Sequence, residues 1–550
     1  MDENAKELSA RADKRFGLRQ QLDCFRQEIA LNFCPWHASF TTELTWGEDF
    51  ASHLIDSTPM LMARDFVGQI SAMLRPPGKQ WFWHRAGHDD TNNDRECREY
   101  LDWRSSQMMR IMFDRVTGAN RALKQADEFF GFFGDGVISV DVSEMQDSLR
   151  VRAYHVKDVV WSVGSEDKVD TVDRRCRMSA RVMRQRFGEK ALHQKVRETL
   201  EKNPDQEFDV RHHVLPADEY DHRKALKRKP GQFASIWVDA TNQHVMREAT
   251  TPTLRYVIPR WVTLPHMPYA ISPAATVALP DARLIQQQAL AILEAAEKQV
   301  NPPLIAYSDT IRGDVRLESR GITWVDKSYD ERSGDPLRPL ELGKNFNLGV
   351  DSLMRTEAQL RRAFFLDVLR MPDTRQTKST VEVSFLIDEY VRAALPLFAP
   401  IQSEYNEALL YEVDKIIGLA GGYADREMPR ALRKQDLQYQ WDNPLSDMVE
   451  RQKVQQVAEV SQLAQTVASL EAAAAQAPAL SQVDTGKMFR ESTIAVGAAR
   501  WLQSEDDAEK AVAANSEAAA MRNVVASAPN IAQVIDSGVN AAKTAAEIPM

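Results

Sequence analysis

The stretch Pro280-Asp281-Ala282-Arg283-Leu284-Ile285-Gln286-Gln287-Gln288-Ala289-Leu290-Ala291-Ile292-Leu293-Glu294-Ala295-Ala296-Glu297-Lys298-Gln299-Val300-Asn301-Pro302-Pro303 decides the architecture. Proline and aspartate suit the start of a helix, where a missing N–H costs little and a carboxylate meets the positive dipole end. Leu284, Ile285, Leu290, Leu293 and Ala296 then mark a stripe at helical spacing. Pro302-Pro303 disfavours helical geometry at Asn301, so the rod stops there after about 30 Å. Beyond it, 304–345 reads as a compact, charged insertion with strand-like pieces at Leu304–Tyr307, Val315–Glu318 and Ile322–Val325. A second rod is predicted over Leu348–Leu369. Two rods enclosing a small β-rich module make a stalk with a tip. The polar loop Met371–Lys378 leads into a long helix from Ser379 to about Leu419, which Pro396 and Pro400 should kink.

The chain before the stalk reads as helices, then strands. Helices are predicted over Phe16–Phe33, Met60–Leu74 and about Arg95–Phe132, the last interrupted near Gly118. Trp81, Phe82, Trp83 and Trp103 read as packing between helices. Gly131–Gly136 reads as a turn, after which the pattern changes to period two at Val137–Val142. Strands follow at Leu149–Val156, Val159–Val163, Phe208–Leu215, Ser235–Val238, His244–Glu248 and Tyr256–Thr263. Ser179 is placed as the N-cap of a short helix that ends at Gly188. Asp221–Gly231 reads as a basic hairpin tip. After the stalk, Met448–Leu470 carries a helical seam of valines and leucines. The segment from Ala508 onward is dominated by alanine, and is either flexible or a helix packed against copies of itself. The fold class is α+β, mainly helical.

Composition narrows function by exclusion. At 550 residues several domains are expected. Lysine and arginine total 69 against 79 aspartates and glutamates, a net charge of −10. A protein that grips nucleic acid tightly presents a basic face; an acidic chain suits a wall past which DNA slides. No run of eighteen apolar residues exists, and Met1–Glu7 lacks the apolar core of a secretory signal. Cys24, Cys34, Cys97 and Cys176 have no paired spacing and read as reduced thiols.

No catalytic, cofactor or metal constellation is expected. Gly486-Lys487 lacks both the preceding glycine of a phosphate loop, Ser481 standing there, and the following hydroxyl, replaced by Met488. His84 and His88 are spaced to share a metal on a helix, but without the glutamate of a zinc protease motif. His212-His213 reads as one buried and one exposed strand residue. Asp89-Asp90 and Asp506-Asp507 read as solvated, and the basic tip as a solvated hairpin.

Several blocks carry a resemblance. They are Phe25-Arg26-Gln27-Glu28-Ile29-Ala30 running to Pro35, Tyr269-Ala270-Ile271-Ser272-Pro273-Ala274-Ala275, Ala278-Leu279-Pro280-Asp281, and Glu297-Lys298-Gln299-Val300-Asn301-Pro302-Pro303-Leu304. Further on come Arg362-Ala363-Phe364-Phe365, Thr380-Val381-Glu382-Val383, and Pro396 to Ile401-Gln402-Ser403-Glu404. In order and spacing they resemble the head-to-tail connector (portal) family of podovirus-type phages. The likeness covers about residues 15–420, with a departure at the start of the long helix, where this chain has Lys-Ser-Thr-Val-Glu-Val. The resemblance implies a portal fold assembled as a dodecameric ring. Its parts would be a wing (1–279), stem helix 1 (280–303), clip (304–345), stem helix 2 (346–370), tunnel loop (371–378), a kinked wing/crown helix (379–420), a crown (421–505) and an alanine-rich C-terminal helix fit for a barrel (506–550).

It also implies a virion component at the capsid vertex, assembled in the host cytoplasm. The expected partners are further copies of itself, double-stranded DNA passing without sequence preference, the terminase motor, a tail adaptor, and capsid and scaffold proteins, with no membrane, no cofactor and no chemistry of its own. Arg370, Met371, Asp373, Arg375 and Lys378 are the expected DNA-facing residues of the loop. Arg312, Asp314, Arg316, Glu318, Arg320 and Asp326 are the expected docking residues of the clip. A different virion protein, such as an internal ejection protein, would share the helical content and acidity without needing rod, insertion and second rod.

Overall fold

In a computed structural model of the chain, the residues described are 2–220, 232–300, 346–369 and 401–441, apart from 46, 77, 89–90, 93, 144–147, 266 and 434, together with 304–306, 337–339 and 465. The basic tip, most of the clip, the loop with Arg370, Met371, Asp373, Arg375 and Lys378, the docking set Arg312, Asp314, Arg316, Glu318, Arg320 and Asp326, Pro396, Pro400, most of the crown beyond Trp441, and the tail lie outside the described residues. The account below concerns the unit Met1–Ser446.

The chain opens with α1 (Glu3–Leu18) and α2 (Gln20–Phe33). The expected helix start at Phe16 is therefore corrected: helix runs back to Glu3, with a joint at Arg19. Arg19 is buried, and its guanidinium donates to the carbonyls of Val156 (2.9 Å) and Lys157 (2.7 Å). The joint is pinned to the β-rich part. α3 (Thr58–Leu74) follows, then β1 (Phe82–Ala86), α4 (Arg95–Met112) and α5 (Ala119–Phe133). Gly118 lies at φ 73 between the last two helices, as a left-handed break requires. The Trp81–Trp83 aromatics do not pack between helices as expected. Phe82–Ala86 is a strand whose partner lies at the far end of the unit, and Trp81 stacks on Trp441 at 6.2 Å.

Next come β2 (Ile138–Val142), β3 (Leu149–Ala153), β4 (Val159–Val163), β5 (Val169–Ser179), α6 (Ala180–Phe187), α7 (Gln194–Lys202), β6 (Glu207–Pro216), β7 (Phe233–Asp239), β8 (His244–Thr251), β9 (Tyr256–Val257), β10 (Val262–Thr263) and β11 (Ala270–Ile271). They form an antiparallel five-stranded sheet, β4-β5-β6-β7-β8, and a three-stranded sheet, β3-β2-β9. α6 and α7 cover one face of the larger sheet through Met183, Leu192 and Val196, packed on Phe208, Val210 and Trp237. α1 covers the other through Ala5 and Leu8 on Leu215, Ile236 and Val238. Both faces are thus occupied at β6. His212 and His213 are therefore both buried, not one in and one out. His212 stacks on Trp237 at 4.0 Å, and His213 Nδ1 meets Asp173 at 2.7 Å.

α8 (Pro273–Val300), β12 (Leu304–Ala306), β13 (Leu337–Pro339), α9 (Phe346–Ala363) and the single turn α10 (Leu366–Leu369) make the stalk. α8 begins at Pro273, not Pro280. Ser272 Oγ accepts from Ala275 N at 3.2 Å, and Pro273 takes the first helical position. Pro280 is thereby left inside the helix, a position that ordinarily costs about 3 kcal/mol or more. Burial of Ala274, Ala275, Ala278, Leu279 and Ala282 against the body offsets it. The second rod also departs from expectation: it breaks at Phe365, which lies at φ 53. Phe364 is the cause, being wholly buried between Phe33 (5.1 Å) and Phe66 (5.5 Å). The long helix is described from residue 401, with a π-helical turn at Gln402–Glu407 before α11 (Ala408–Leu419). β14 (Leu437–Trp441) closes the unit by pairing with β1. Among the described residues no helix is long and apolar enough to cross a membrane.

Candidate functional site

The stalk and its anchorage are where the sequence motifs converge. Its root is the corner Gly134-Asp135-Gly136. Gly131 belongs to α5 rather than to the expected turn, since Phe130, Phe132 and Phe133 extend that helix into the core. Gly134 ends the helix at φ 84, and a Cβ there would lie 2.2 Å from the Ile271 carbonyl carbon. Only glycine lets β11 pass so close. Asp135, wholly buried, then accepts from Ala270 N at 2.9 Å and forms an ion pair with Arg26 of α2. Burial pushes the Asp135 carboxyl up to about 6, although Arg26 opposes that shift. Ser272 Oγ donates to the Gly131 carbonyl at 2.7 Å while capping α8. Tyr269 packs on Trp161 at 4.6 Å, beneath the guanidiniums of Arg19 and Arg26 at 5.8 and 5.6 Å. The Tyr269–Ala275 and Phe25–Ala30 blocks are therefore two halves of one joint.

A second joint fixes the helix that follows the loop. Arg75, at the end of α3, donates to Asn406 Oδ1 at 2.8 Å and pairs with Asp127 of α5. Tyr405 Oη donates to Asp127 Oδ1 at 2.7 Å, and the Arg75 guanidinium lies 4.6 Å from the Tyr405 ring. Tyr405 and Asn406 sit in the π-helical turn, an irregularity that often marks a functional position. A third joint gathers on Asp414 of α11. Arg104 donates to both its oxygens at 3.1 and 2.7 Å, and Tyr423 Oη donates at 2.7 Å. His84 Nε2 stands 3.5 Å away. His84 is thus a buried strand residue and His88 lies exposed in the bend after that strand, and they share no helix face. Among the described residues no cluster suits a metal ion. One shallow cleft of about 280 Å³ opens beside Met62, Met354, Arg361 and Arg362.

Sequence reading missed all three joints. Arg26, Asp135, Arg75 and Asp127 belong to different elements, and their pairing is a product of the tertiary fold. The one usable signal was position: Arg26 and Asp135 lie inside the motif block and the glycine turn respectively.

Outward from its root the stalk has few partners among the described residues. α8 and α9 touch along one flank, where Gln288 Nε2 donates to Ser352 Oγ at 3.0 Å and Ile292 lies over Gly349. At the far end β12 and β13 pair antiparallel, Leu304 opposite Pro339, and close the base of the 304–345 insertion. By helical spacing Leu290, Leu293 and Val300 fall on the flank turned from α9. They are 42%, 61% and 83% exposed. Val277, Leu284 and Met354 are exposed as well. An apolar row of this kind on a rod marks an association surface.

The chain has likenesses among known proteins. The family model described as "Bacteriophage head to tail connecting protein" matches residues 5–501. The portal protein of Salmonella phage epsilon15 is 22% identical over 369 residues, 66% of this chain and 65% of that protein. A "Probable portal protein" of Bordetella phage BPP-1 is 21% identical over 380 residues, 68% of this chain and 66% of its own length. The chain thus spans just under two thirds of these relatives. Among solved structures, a chain from the virion of a native gene transfer agent particle has a TM-score of 0.36 at 8% identity. The match covers 76% of this chain and 90% of that one. A chain from the neck of an empty particle of the same kind scores 0.34 at 10% identity, with the same coverage.

Proposed function

The chain belongs to the bacteriophage head-to-tail connecting protein family, and from that premise we propose that it is the portal subunit of a short-tailed phage. Twelve copies form a ring at one capsid vertex, and double-stranded DNA enters and leaves through the central channel. The terminase motor docks first and a tail adaptor later, with capsid and scaffold proteins around the ring. The role is structural, without catalysis. The observation that carries the reading is the stalk itself, two long helices anchored at a buried charge joint, with an apolar row on α8 that stands exposed among the described residues. A net charge of −10 per subunit suits a wall past which phosphates slide. Purified full-length protein imaged in the electron microscope should give rings with a central hole. A population of monomers and dimers alone, across a wide salt range, refutes the reading.

Within that reading the loop 371–378 faces the channel, and Arg370, Arg375 and Lys378 brush the DNA backbone beside Met371 and Asp373. In the sequence it follows α10, which ends at Leu369, and precedes the helix described from residue 401. Deleting Pro372–Gln376 should leave rings intact and impair packaging or retention of DNA; normal genome packaging by the deletion removes this role. The clip presents Arg312, Asp314, Arg316, Glu318, Arg320 and Asp326 as a polar docking rim. Reversing two or three of these charges should slow adaptor or motor association and change its salt dependence.

A further inference from the structure

One group of arginines serves neither the stalk nor its joints. Across the larger sheet Arg174 of β5 pairs with His212 of β6, His212 with Trp237 of β7, and Trp237 with Arg247 of β8. Residues directly opposite share a face, so the four form a row. Trp237 carries two guanidiniums, Arg186 of α6 at 4.0 Å and Arg174 at 5.3 Å. Arg174 also lies over the Tyr154 ring at 4.1 Å and donates through Nε to Tyr256 Oη at 3.1 Å. Arg152 lies on β3, two residues before Tyr154, and Arg255 immediately precedes Tyr256; their charges act on Arg186 and His212 respectively. Among the described residues one carboxylate is ion-paired with any of these five arginines: Asp141, 3.4 Å from Arg255.

Arg174 is only 6% exposed. Burial alone would lower its guanidinium value, but Tyr256 and Tyr154 outweigh that and hold it charged without a carboxylate. Burial, then the nearby Arg174, push Arg186 below its ordinary guanidinium value, with Arg152 adding to the effect. Burial and the same arginines hold His212 well below the usual imidazole range, so it takes part as a neutral group. It hydrogen-bonds Tyr256 Oη at 2.7 Å and Ser235 Oγ at 2.8 Å. The aromatic floor is thereby rigid, and the guanidiniums are stacked in place before any ligand arrives.

We propose that Arg174, Arg186 and Arg152 form a binding site for a phosphate group. A lone carboxylate neutralises one guanidinium. A phosphate group, free or as a monoanionic diester, offers non-bridging acceptor oxygens in more than one direction and matches more than one arginine fork. Its source is either free inorganic phosphate or the phosphodiester of a nucleic acid.

The test is calorimetric titration and thermal unfolding of the full chain in sodium phosphate against sodium chloride at matched ionic strength. Phosphate also stabilises proteins by exclusion from their surfaces, so the response of variants decides the matter. Arg186→Gln and the exposed Arg152→Gln should each weaken phosphate binding at least about tenfold and remove the specific stabilisation. Arg181→Gln, which alters the same helix at a residue paired with Asp205, should not. Displacement of phosphate by a short DNA duplex assigns the site to a nucleic-acid backbone; failure to compete assigns it to free phosphate. The proposal is overturned if phosphate gives no heat beyond chloride, or if both arginine variants bind it as the parent does. It is equally overturned if a polyglutamate peptide binds there and phosphate does not.

Discussion

Glu412 and Asp414 sit two residues apart on α11, and their surroundings drive them in opposite directions. Burial pushes the Glu412 carboxyl up to about 7, although hydrogen bonds from Thr253 and the backbones of Arg255 and Leu254, and the Arg255 charge, oppose that shift. Burial alone would raise Asp414 too, but hydrogen bonds from His84 and Arg104 outweigh it and hold that carboxyl well below the usual carboxylate range. The linkage signs follow. The folded state keeps the Glu412 proton between about pH 4 and 7 while the unfolded chain releases it, so stability falls as pH rises across that window. The span amounts to about 3 kcal/mol. Glu412→Gln should flatten the fall, and an unchanged pH dependence of Tm would mean that the group is not buried as described. Asp414 works the other way. Its folded value is depressed, so its contribution is complete above about pH 4 and is lost only as the medium becomes more acid. Asp414→Asn should therefore lower Tm most near neutral pH and least at the acid end. It leaves Arg104 buried without a counter-charge, a loss of about 3–5 kcal/mol for a pair of this kind. Neither shift was legible in the sequence, where both residues read as ordinary acids on a helix.

At the level of elements, what could be read was whatever announces itself locally. The end of α8 was readable because two prolines forbid its continuation. The end of α6 was readable because Gly188 follows it, at φ 80. The start of α8 was misplaced because Pro280 satisfies the local rule for a first turn, whereas the buried alanines before it satisfy a tertiary one. β5 was missed altogether. Its Asp173 and Arg174 point into opposite covered faces and find Arg15, His213 and Tyr256 there, so the alternation that betrays a strand is absent. β1 was missed because its partner is β14, with Arg85 bonded to Gln440 across most of the unit. The root of the stalk gives an element-scale prediction. Gly134→Ala must strain a left-handed residue, at about 1–2 kcal/mol, and also push the Ile271 backbone aside. Ser272→Ala removes only a cap and its bond to Gly131, about 1 kcal/mol. Thermal unfolding should rank Gly134→Ala well below Ser272→Ala; equal losses would show that β11 moves freely away from the turn.

For the whole molecule the question is why a 28-residue helix keeps Leu290, Leu293 and Val300 exposed among the described residues. Its inner half is explained by the body it packs on, and one flank by α9. Leu290, Leu293 and Val300 are explained by neither. Burying a leucine or valine fully contributes about 1.5–3 kcal/mol, and in a closed ring every subunit gains that contact on each side. Cyclic closure also means that no subunit is left with an open edge. These side chains are 42%, 61% and 83% exposed, so only that part of their surface is left to bury, and it adds to association without balancing the cost alone. The paired change Leu293→Glu with Val300→Glu puts two carboxylates where apolar contacts are expected, on positions that touch little within their own chain. The variant should unfold at the parent's temperature, within a degree or two, yet run as a monomer in native mass spectrometry where the parent gives a high-order ring. Rings of the parent's size and salt resistance would show that the rods are not the adhesive surface. The contacts between subunits would then have to lie in the wing, and the bare flank of α8 would face the channel or a partner instead.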